Sequence, residues 1–422
     1  MSLSSSATTP QPRHGVGAAL LWACFLGCSW TWVIGMFLPI MLLRDYGLWG
    51  WVAFAVPNVI GSAAMGTVLR TPAASWNIVQ KHPTAMRWFA AVTIAYHLYV
   101  VFWLFGLLWA ALLCVLPWIV MNAVQRQKIG GWLPWISVGV AVVSWGCFSM
   151  ASRLDGAWMD VGFSAEADLF ASRLTPLDLW LLAPGFVGGF LLCPYMDPTF
   201  HRARYSTSIG TGRLAFLLGF GVVFGSMIVF SLMYAGLLRP LIGGGDTSWI
   251  ASPWWVILGI HFAVQIAFSI SAHSREFFTD SFAKAGRSTD VLVFLLIVGL
   301  TVWGVVARTQ DVMVAGLTLG EAGYRLFLLV YGVVFPAYVL ICMIPTRRRG
   351  VGLTSRRWVF AGASLLGMPM GIAGLILGQS AWLLGLYAAL LMGRLVVECL
   401  PARVEAEAKG EPQAGDGTQG DH

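Results

Sequence analysis

The sequence predicts an all-α, polytopic membrane protein, and three observations support this fold class. The 422-residue chain is 58% hydrophobic and 11% charged, whereas about a quarter of the residues of a typical soluble domain are charged. Its mean hydropathy is +0.76. The apolar residues also fall into blocks of about 20, which is the length that an α-helix needs to cross the hydrocarbon core of a bilayer.

Twelve such blocks follow one another, so we expect about 12 transmembrane helices. The third and fourth are separated at Gly106, because the apolar stretch around it is too long for one helix. The first block is longer than a signal-peptide core and lacks a cleavage site, so we expect it to remain as a helix. The predicted spans are residues 16–43, 48–69, 85–105, 107–124, 131–151, 179–198, 214–238, 253–274, 290–307, 323–344, 358–378 and 380–399.

The basic residues predict the side that each loop faces, because cytoplasmic loops are enriched in Lys and Arg. With the N-terminus inside, sixteen basic residues near the span ends fall on the cytoplasmic side and six on the other. Both termini are therefore expected in the cytoplasm, and a bacterial inner membrane is the expected location. The net charge of +7 is interpreted as this topological signal, so no nucleic-acid partner is predicted.

Two predicted spans, the first and the sixth, carry clusters of small and helix-breaking residues. Five spans bring the chain to the opposite face of the membrane, because five is an odd number. A second unit of five spans that starts at the sixth would therefore be an inverted repeat of the first unit. Inverted repeats that open with a broken helix are typical of secondary transporters; ordinary kinks in a protein of another function are the alternative. The interrupting residues are Gly27, Ser29, Thr31, Gly35, Pro39, Pro184, Gly185, Gly188, Gly189, Pro194 and Pro198.

The predicted organisation follows from this pattern. Two five-helix repeats with broken helices 1 and 6 precede two extra C-terminal helices. The tail after Pro401 is rich in Gly, Pro, Ala and charge, so we expect it to be disordered. The predicted units are an N-terminal tail (1–15), the first repeat (16–151), an extracytoplasmic loop (152–178), the second repeat (179–344), two additional helices (345–400) and a cytoplasmic tail (401–422).

Two stretches resemble a known family. "SWTWVIGMFLPIMLLRDYGLWGWVAFAVPNVIGSAAMG" is similar to the opening helices of sodium:solute symporters, with a turn at Tyr46 and Gly47, and "GFVGGFLLCPYMDPTFHRAR" resembles the later broken helix of that family. The resemblance implies the amino acid, polyamine and organocation superfamily and a leucine-transporter-type fold. In sodium-coupled members the eighth helix offers adjacent hydroxyls, whereas Ser269 and Ser271 are separated by Ile270 here.

Polar residues inside apolar spans are costly to bury and are therefore functional candidates. His261, Gln265, Ser269 and His273 recur every four residues in the eighth span, so they form one polar stripe. Asp197 is the only acid at the break of the sixth span, and it either binds a cation or gates through an arginine. The alternative is an interfacial helix cap that forms a salt bridge. Each isolated polar residue has the alternative of a simple bond between helices.

These observations favour a secondary active transporter, symporter- or permease-like, that moves a small solute. No cofactor is predicted apart from a coupling ion, Na⁺ or H⁺. The predicted coupling residues are Ser269, Ser271 and Asp197. The predicted solute-binding residues are Trp30, Trp32, Gly35, Phe37, His97, Gly188, Gly189, Cys193, Pro194, Tyr195, His261 and Gln265.

Three other functions remain as alternatives or are disfavoured. A haem or metal protein is disfavoured because the seven cysteines and the few histidines show no metal-ligand spacing. No catalytic dyad suggests an enzyme. A non-transporting sensor or receptor that retains the transporter fold stays open, since a fold does not fix a function.

Overall fold

The computed structural model describes residues 13–115, 118–119, 131–154, 174–242, 253–277, 287–347 and 351–400, and all structural statements concern these ranges. They are almost entirely helical, with one two-stranded hairpin, β1 (Met313–Val314) and β2 (Leu317–Thr318). The helices are α1 (Val16–Trp30), α2 (Val33–Tyr46), α3 (Leu48–Val68), α4 (Pro72–Lys81), α5 (Pro83–Ala110), α6 (Leu133–Ala151), α7 (Pro176–Leu192), α8 (Pro198–Tyr205), α9 (Ile209–Leu218), α10 (Gly225–Ile242), α11 (Pro253–Phe277), α12 (Arg287–Thr309), α13 (Leu319–Leu329), α14 (Phe335–Tyr338), α15 (Leu353–Leu375) and α16 (Trp382–Cys399).

Among the described residues, ten helices are long and apolar enough to cross a membrane, and the bent pair α1–α2 makes an eleventh span if counted as one. Short π-helical turns join α9 to α10 and α13 to α14 without ending those spans. The prediction of an all-α, integral membrane protein is confirmed. Most of the predicted loop 152–178, part of the predicted fourth span (116–117 and 120–124) and both tail ends lie outside the described residues.

The backbone breaks at Gly106, where the sequence separates the predicted third and fourth spans. Gly106 has φ +73° and ψ 176°, a conformation that L-residues rarely adopt and that glycine tolerates. Helical residues follow, first 107–110 and then the π-helical turn Ala111–Val115. The single long apolar stretch is therefore divided by one residue without a side chain.

The first predicted span is two helices, α1 and α2, which meet at an angle of 58°. Thr31 and Trp32 between them leave the helical region, with ψ values of 71° and −172°. The Thr31 hydroxyl donates to the Gly27 carbonyl at 2.7 Å, which satisfies one acceptor near the end of α1. Gly27 and Ser29 lie within α1, and Gly35 and Pro39 lie within α2, so our prediction that these four residues interrupt the helix is wrong.

The break after α7 is shorter and later than the sequence suggests. Pro184, Gly185, Gly188 and Gly189 all lie within α7, so our prediction that they interrupt the helix is wrong; membrane helices accommodate proline and glycine. The helix ends instead in a 3₁₀ turn, Cys193–Met196, followed by α8.

Proline and aspartate explain where that break occurs. Pro194 opens the 3₁₀ turn and Pro198 opens α8, the positions where a missing N–H costs least. Asp197 between them is extended, with ψ 112°, and its carboxylate accepts the Thr199 N–H at 2.7 Å as an N-cap. α8 then follows as a separate short helix whose residues are almost all buried.

Glycines set the closest helix approaches around the two breaks. A Cβ added at Gly61 of α3 would lie 2.5 Å from the carbonyl oxygen of Phe190 in α7. A Cβ at Gly27 of α1 would lie 2.6 Å from the Val223 side chain, between α9 and α10. The α3–α7 pair therefore packs with its backbones nearly in contact, and α1 packs closely on the π-helical turn between α9 and α10, as small residues permit in membrane helices.

Candidate functional site

The two breaks meet in the interior of the bundle. The Thr199 hydroxyl oxygen at the start of α8 lies 3.2 Å from the Ser29 hydroxyl oxygen near the end of α1. The rings of Trp30 and Phe200 lie 4.9 Å apart between centroids. These side-chain contacts join the last turn of α1 to the first turn of α8, next to the two breaks.

Trp32 occupies the centre of this region and is 1% exposed. Its ring is stacked on His97 of α5 with centroids 6.2 Å apart, and His273 of α11 lies 6.1 Å away at an angle of 61°. Tyr331, in the π-helical turn after α13, lies 4.7 Å from the same ring. Spans that are distant in sequence therefore converge on the residue at which the first span is broken.

A cavity lies beside Trp32, between α2, α7, the segment after α13, α15 and α16. Its volume is about 80 Å³, and its wall is mainly aliphatic and aromatic. Asn58 supplies one polar group and accepts a hydrogen bond from Trp30 Nε1 at 2.7 Å. Asp45 and Arg325 line the cavity at another point. An apolar pocket with a few placed polar groups is the usual form of a small-molecule site.

Several buried polar atoms in and around the break region have no hydrogen-bond partner of normal geometry among the described residues. These atoms are Asp197 Oδ2, His97 Nε2, Trp32 Nε1 and both ring nitrogens of His273. Asp197 Oδ2 lies 4.0 Å from His273 Nε2, and both side chains are fully buried. Buried polar atoms are nearly always paired in folded proteins, so such a concentration indicates a site at which something binds.

The structure brings five of the predicted solute-binding residues to the cavity wall: Trp30, Trp32, Gly35, Gly189 and Cys193. His97 lies behind Trp32, as described above. The Cys193 thiol donates to the Tyr331 carbonyl at 2.8 Å, which joins the break after α7 to the segment after α13. These residues form one continuous surface.

The other predicted solute-binding residues lie elsewhere. Phe37 packs against Phe262, with centroids 5.3 Å apart, and Pro194 and Tyr195 form the 3₁₀ turn. A Cβ added at Gly188 would meet no atom within 4 Å, whereas one at Gly189 would meet the Gly332 backbone at 3.7 Å. Gly188 and Gly189 therefore face different surroundings.

The polar stripe of the predicted eighth span is buried along its length, on α11. Its first half contacts α6, since His261 Nδ1 and Gln265 Nε2 lie 3.1 Å and 2.9 Å from the Ser144 hydroxyl. Ser269, predicted to couple an ion, donates to the Cys28 carbonyl at 3.2 Å. Ser271 is buried on the same helix, and His273 completes the stripe at the centre of the site.

Sequence reasoning missed a buried cluster of four charges: Arg44, Asp45, Glu321 and Arg325. We call it the outer quartet, because the topology that the sequence predicts would place it on the extracytoplasmic side. Arg44 donates to both Glu321 carboxylate oxygens, at 2.6 Å and 2.9 Å, and to Asp45 at 2.7 Å. Arg325 donates to Glu321 at 2.7 Å and also bonds Asp45. The only sequence signal was two pairs of opposite charges at the ends of α2 and α13, which resemble ordinary loop charges.

Polar contacts also stabilise the end of the site at α8, opposite the outer quartet. Arg202 of α8 forms an ion pair with Glu276 of α11, whose second oxygen lies 3.0 Å from Arg202 Nη2. Arg204 donates at 2.7 Å to the carbonyls of Leu69 and Arg70, which end α3 and begin the loop to α4. These bonds tie α8 to two neighbouring helices.

His201 of α8 adds a contact to α4. Its Nδ1 lies 2.7 Å from the Ser75 hydroxyl and its Nε2 lies 3.0 Å from the Tyr195 carbonyl. Burial lowers the pKa of His201 to about 4, an effect that the hydrogen bond to Tyr195 partly opposes. The ring is therefore neutral at physiological pH, and it acts as a fixed connector between α8 and α4.

Comparison with protein-family models, with curated proteins and with solved structures found no match for this chain. The structure itself defines an integral membrane protein with a buried polar centre at the junction of interrupted helices. The residues of that centre, rather than a relative, therefore have to carry the functional argument.

Proposed function

We propose that this chain is a secondary active transporter that moves a small solute by alternating access. The observation that carries the proposal is the meeting of two interrupted helices, α1–α2 and α7–α8, beside a cavity lined by Trp30, Trp32 and Cys193. Interrupted helices that meet at a binding site are the characteristic arrangement of such transporters, because freed backbone groups can contact a solute there.

The helix packing supports the predicted five-plus-five inverted repeat. Counting 107–124 as the fourth of 12 spans makes α3 the second span, α7–α8 the sixth and α9–α10 the seventh. The first span packs on the seventh, and the second packs on the sixth. In a five-plus-five repeat the first span corresponds to the sixth and the second to the seventh. The contact between the first and seventh spans therefore corresponds to the contact between the sixth and second spans, as a repeat requires. The proposal includes the resemblance to sodium:solute symporters and the cytoplasmic location of both termini.

Two polar barriers flank the proposed solute path. On the outer side the quartet joins α2 to α13, and Asp45 and Arg325 also line the cavity. On the inner side the Arg202–Glu276 pair joins α8 to α11. Alternating access requires that these barriers open in turn, so solute and ion binding at the centre must change the relative stability of the two barriers.

A non-transporting receptor with the same fold is a second candidate, and one contact favours it. The Ser269 hydroxyl bonds the Cys28 carbonyl directly, whereas a sodium site of the kind that the resemblance implies would hold an ion between these two helices. Binding of a solute without any flux would support the receptor.

The first experiment is a thermal-shift screen of solutes at varied sodium, potassium and proton concentrations and constant ionic strength. Ligands that bind the native state raise its apparent stability. The hits are then measured for counterflow in proteoliposomes. We expect at least one hit to exchange across the membrane. Hits that bind but never exchange would overturn the transport proposal.

Glycine variants then test the position of the site. A bulky residue at Gly35 or Gly189 would enter the cavity wall, where a Cβ already meets Phe224 at 3.2 Å or Gly332 at 3.7 Å. We expect G35V and G189V to remove counterflow while the protein still folds. G188V is the matched control, because a Cβ at that position meets no atom within 4 Å. Counterflow that survives both G35V and G189V would show that the site is elsewhere.

A further inference from the structure

The most unusual feature of the molecule is a buried carboxylate and imidazole that face one another without a hydrogen bond. Asp197 Oδ1 accepts from Thr199, at 2.7 Å from both its amide nitrogen and its hydroxyl. Asp197 Oδ2 has no such donor among the described residues. A buried carboxylate oxygen without a donor costs free energy, and the cost falls when the oxygen binds a proton or a cation.

The two groups are close enough for a proton to join them. The 4.0 Å from Asp197 Oδ2 to His273 Nε2 is longer than a direct hydrogen bond. A small rotation of either side chain would join them. The described residues contain no group of three or more His, Cys, Asp and Glu that could hold a metal ion.

Other titratable groups surround the pair. His97 faces His273 across Trp32, and the backbone of Ser29 also faces the imidazole. Cys193 and Tyr331 lie near Asp197 on the side of the cavity. Glu276 lies on the inner side.

The pair also has a route toward the inner face. α8 and α11 are connected twice, first by the Asp197–His273 contact and then by the Arg202–Glu276 ion pair. His273 and Glu276 lie three residues apart on α11, which is about 4.5 Å along the helix axis. When the inner ion pair opens, water therefore reaches Asp197 and His273 next.

We propose that Asp197 and His273 bind and release one proton in each cycle, so that the coupling ion of this chain is H⁺. This inference rests on the proposed transport function. A proton from water forms one O–H or N–H bond at the pair, which raises its charge by one and joins the two side chains by a hydrogen bond. The same proton returns to water on the other side, and no oxidation or further bond change is involved.

The test is an infrared pH titration of the full-length protein in lipid nanodiscs, which needs no solute. We expect a carboxylic-acid C=O band that disappears as the pH rises, is lost in D197N and is shifted in H273Q. D290N is the matched control, because Asp290 is half-exposed and pairs with Arg87 outside the site. D197E keeps a carboxyl group, so it should retain the band at a new position if D197N does not fold.

A band that D197N leaves unchanged would overturn the assignment, whereas counterflow would be unaffected by that result. The second readout separates coupling from structure: D197N should still exchange the identified solute across the membrane but should lose accumulation driven by a pH gradient. A titrating Asp197 in a protein that shows no flux would refute both coupling and the proposed transport function. Accumulation that persists in D197N would refute coupling alone.

Discussion

The outer quartet allows the sharpest test of the packing, through the substitution Glu321→Gln. Glu321 is 2% exposed and accepts charged hydrogen bonds from both Arg44 and Arg325. The quartet contains two arginines, one aspartate and one glutamate, so its net charge changes from zero to +1 in E321Q. Removing one partner from a buried ion pair costs about 3–5 kcal/mol, because the remaining charge stays buried. We expect a loss of that size.

A double substitution decides whether charge is the reason. R44Q/E321Q restores a neutral set in which Arg325 remains beside Asp45. If uncompensated charge causes the loss, the double variant should be at least as stable as E321Q alone. Equilibrium unfolding in mixed detergent micelles measures each free energy. If the stability losses of R44Q and E321Q, each measured alone, simply add in the double variant, Arg44 and Glu321 act independently and the electrostatic reasoning is wrong.

Two further predictions concern the contact between α3 and α7 and the histidine of α8. G61A should reduce stability and solute exchange, because its Cβ would lie 2.5 Å from the Phe190 carbonyl oxygen, a backbone atom that cannot rotate away. G188A should have little effect, since a Cβ there meets no atom within 4 Å. Equal melting temperatures for G61A and G188A would contradict this prediction. His201, with its pKa lowered to about 4 by burial, binds a proton less readily than in the unfolded chain, so stability should fall as the pH drops from about 6.5 toward 4. H201Q should show a smaller fall over that range, and a pH profile identical to that of the original chain would refute this role.

Much of the fold could be predicted because the bilayer imposes it. Apolar blocks of fixed length give the helices, and the break in the first span follows from polar and small residues, as at Thr31. The break after α7 was predicted in the right segment but assigned to the wrong residues. Pro184 stays helical, whereas Pro194 and Pro198 with the Asp197 cap end the helix. Local sequence does not show which of several prolines the surrounding helices will accommodate.

The site was harder to predict, since it depends on pairing between distant segments. The four-residue spacing correctly placed the α11 stripe on a buried face, but nothing in it shows that His261 turns toward Ser144 while His273 turns toward Asp197. The outer quartet joins residues 277 positions apart. Only the tertiary fold brings such charges together, so a single sequence leaves them indistinguishable from loop residues.

The distribution of polar contacts explains how such a molecule could respond to binding. Its ends are well satisfied, by the outer quartet on one side and by Arg202 with Glu276 on the other. Its centre is not, because Asp197, His273 and His97 have buried atoms without hydrogen-bond partners. In the proposed transport cycle, binding at the centre supplies interactions that the described conformation lacks, and its free energy offsets the cost of breaking bonds at one end. A chain with every central group already paired would have no such source of free energy for opening.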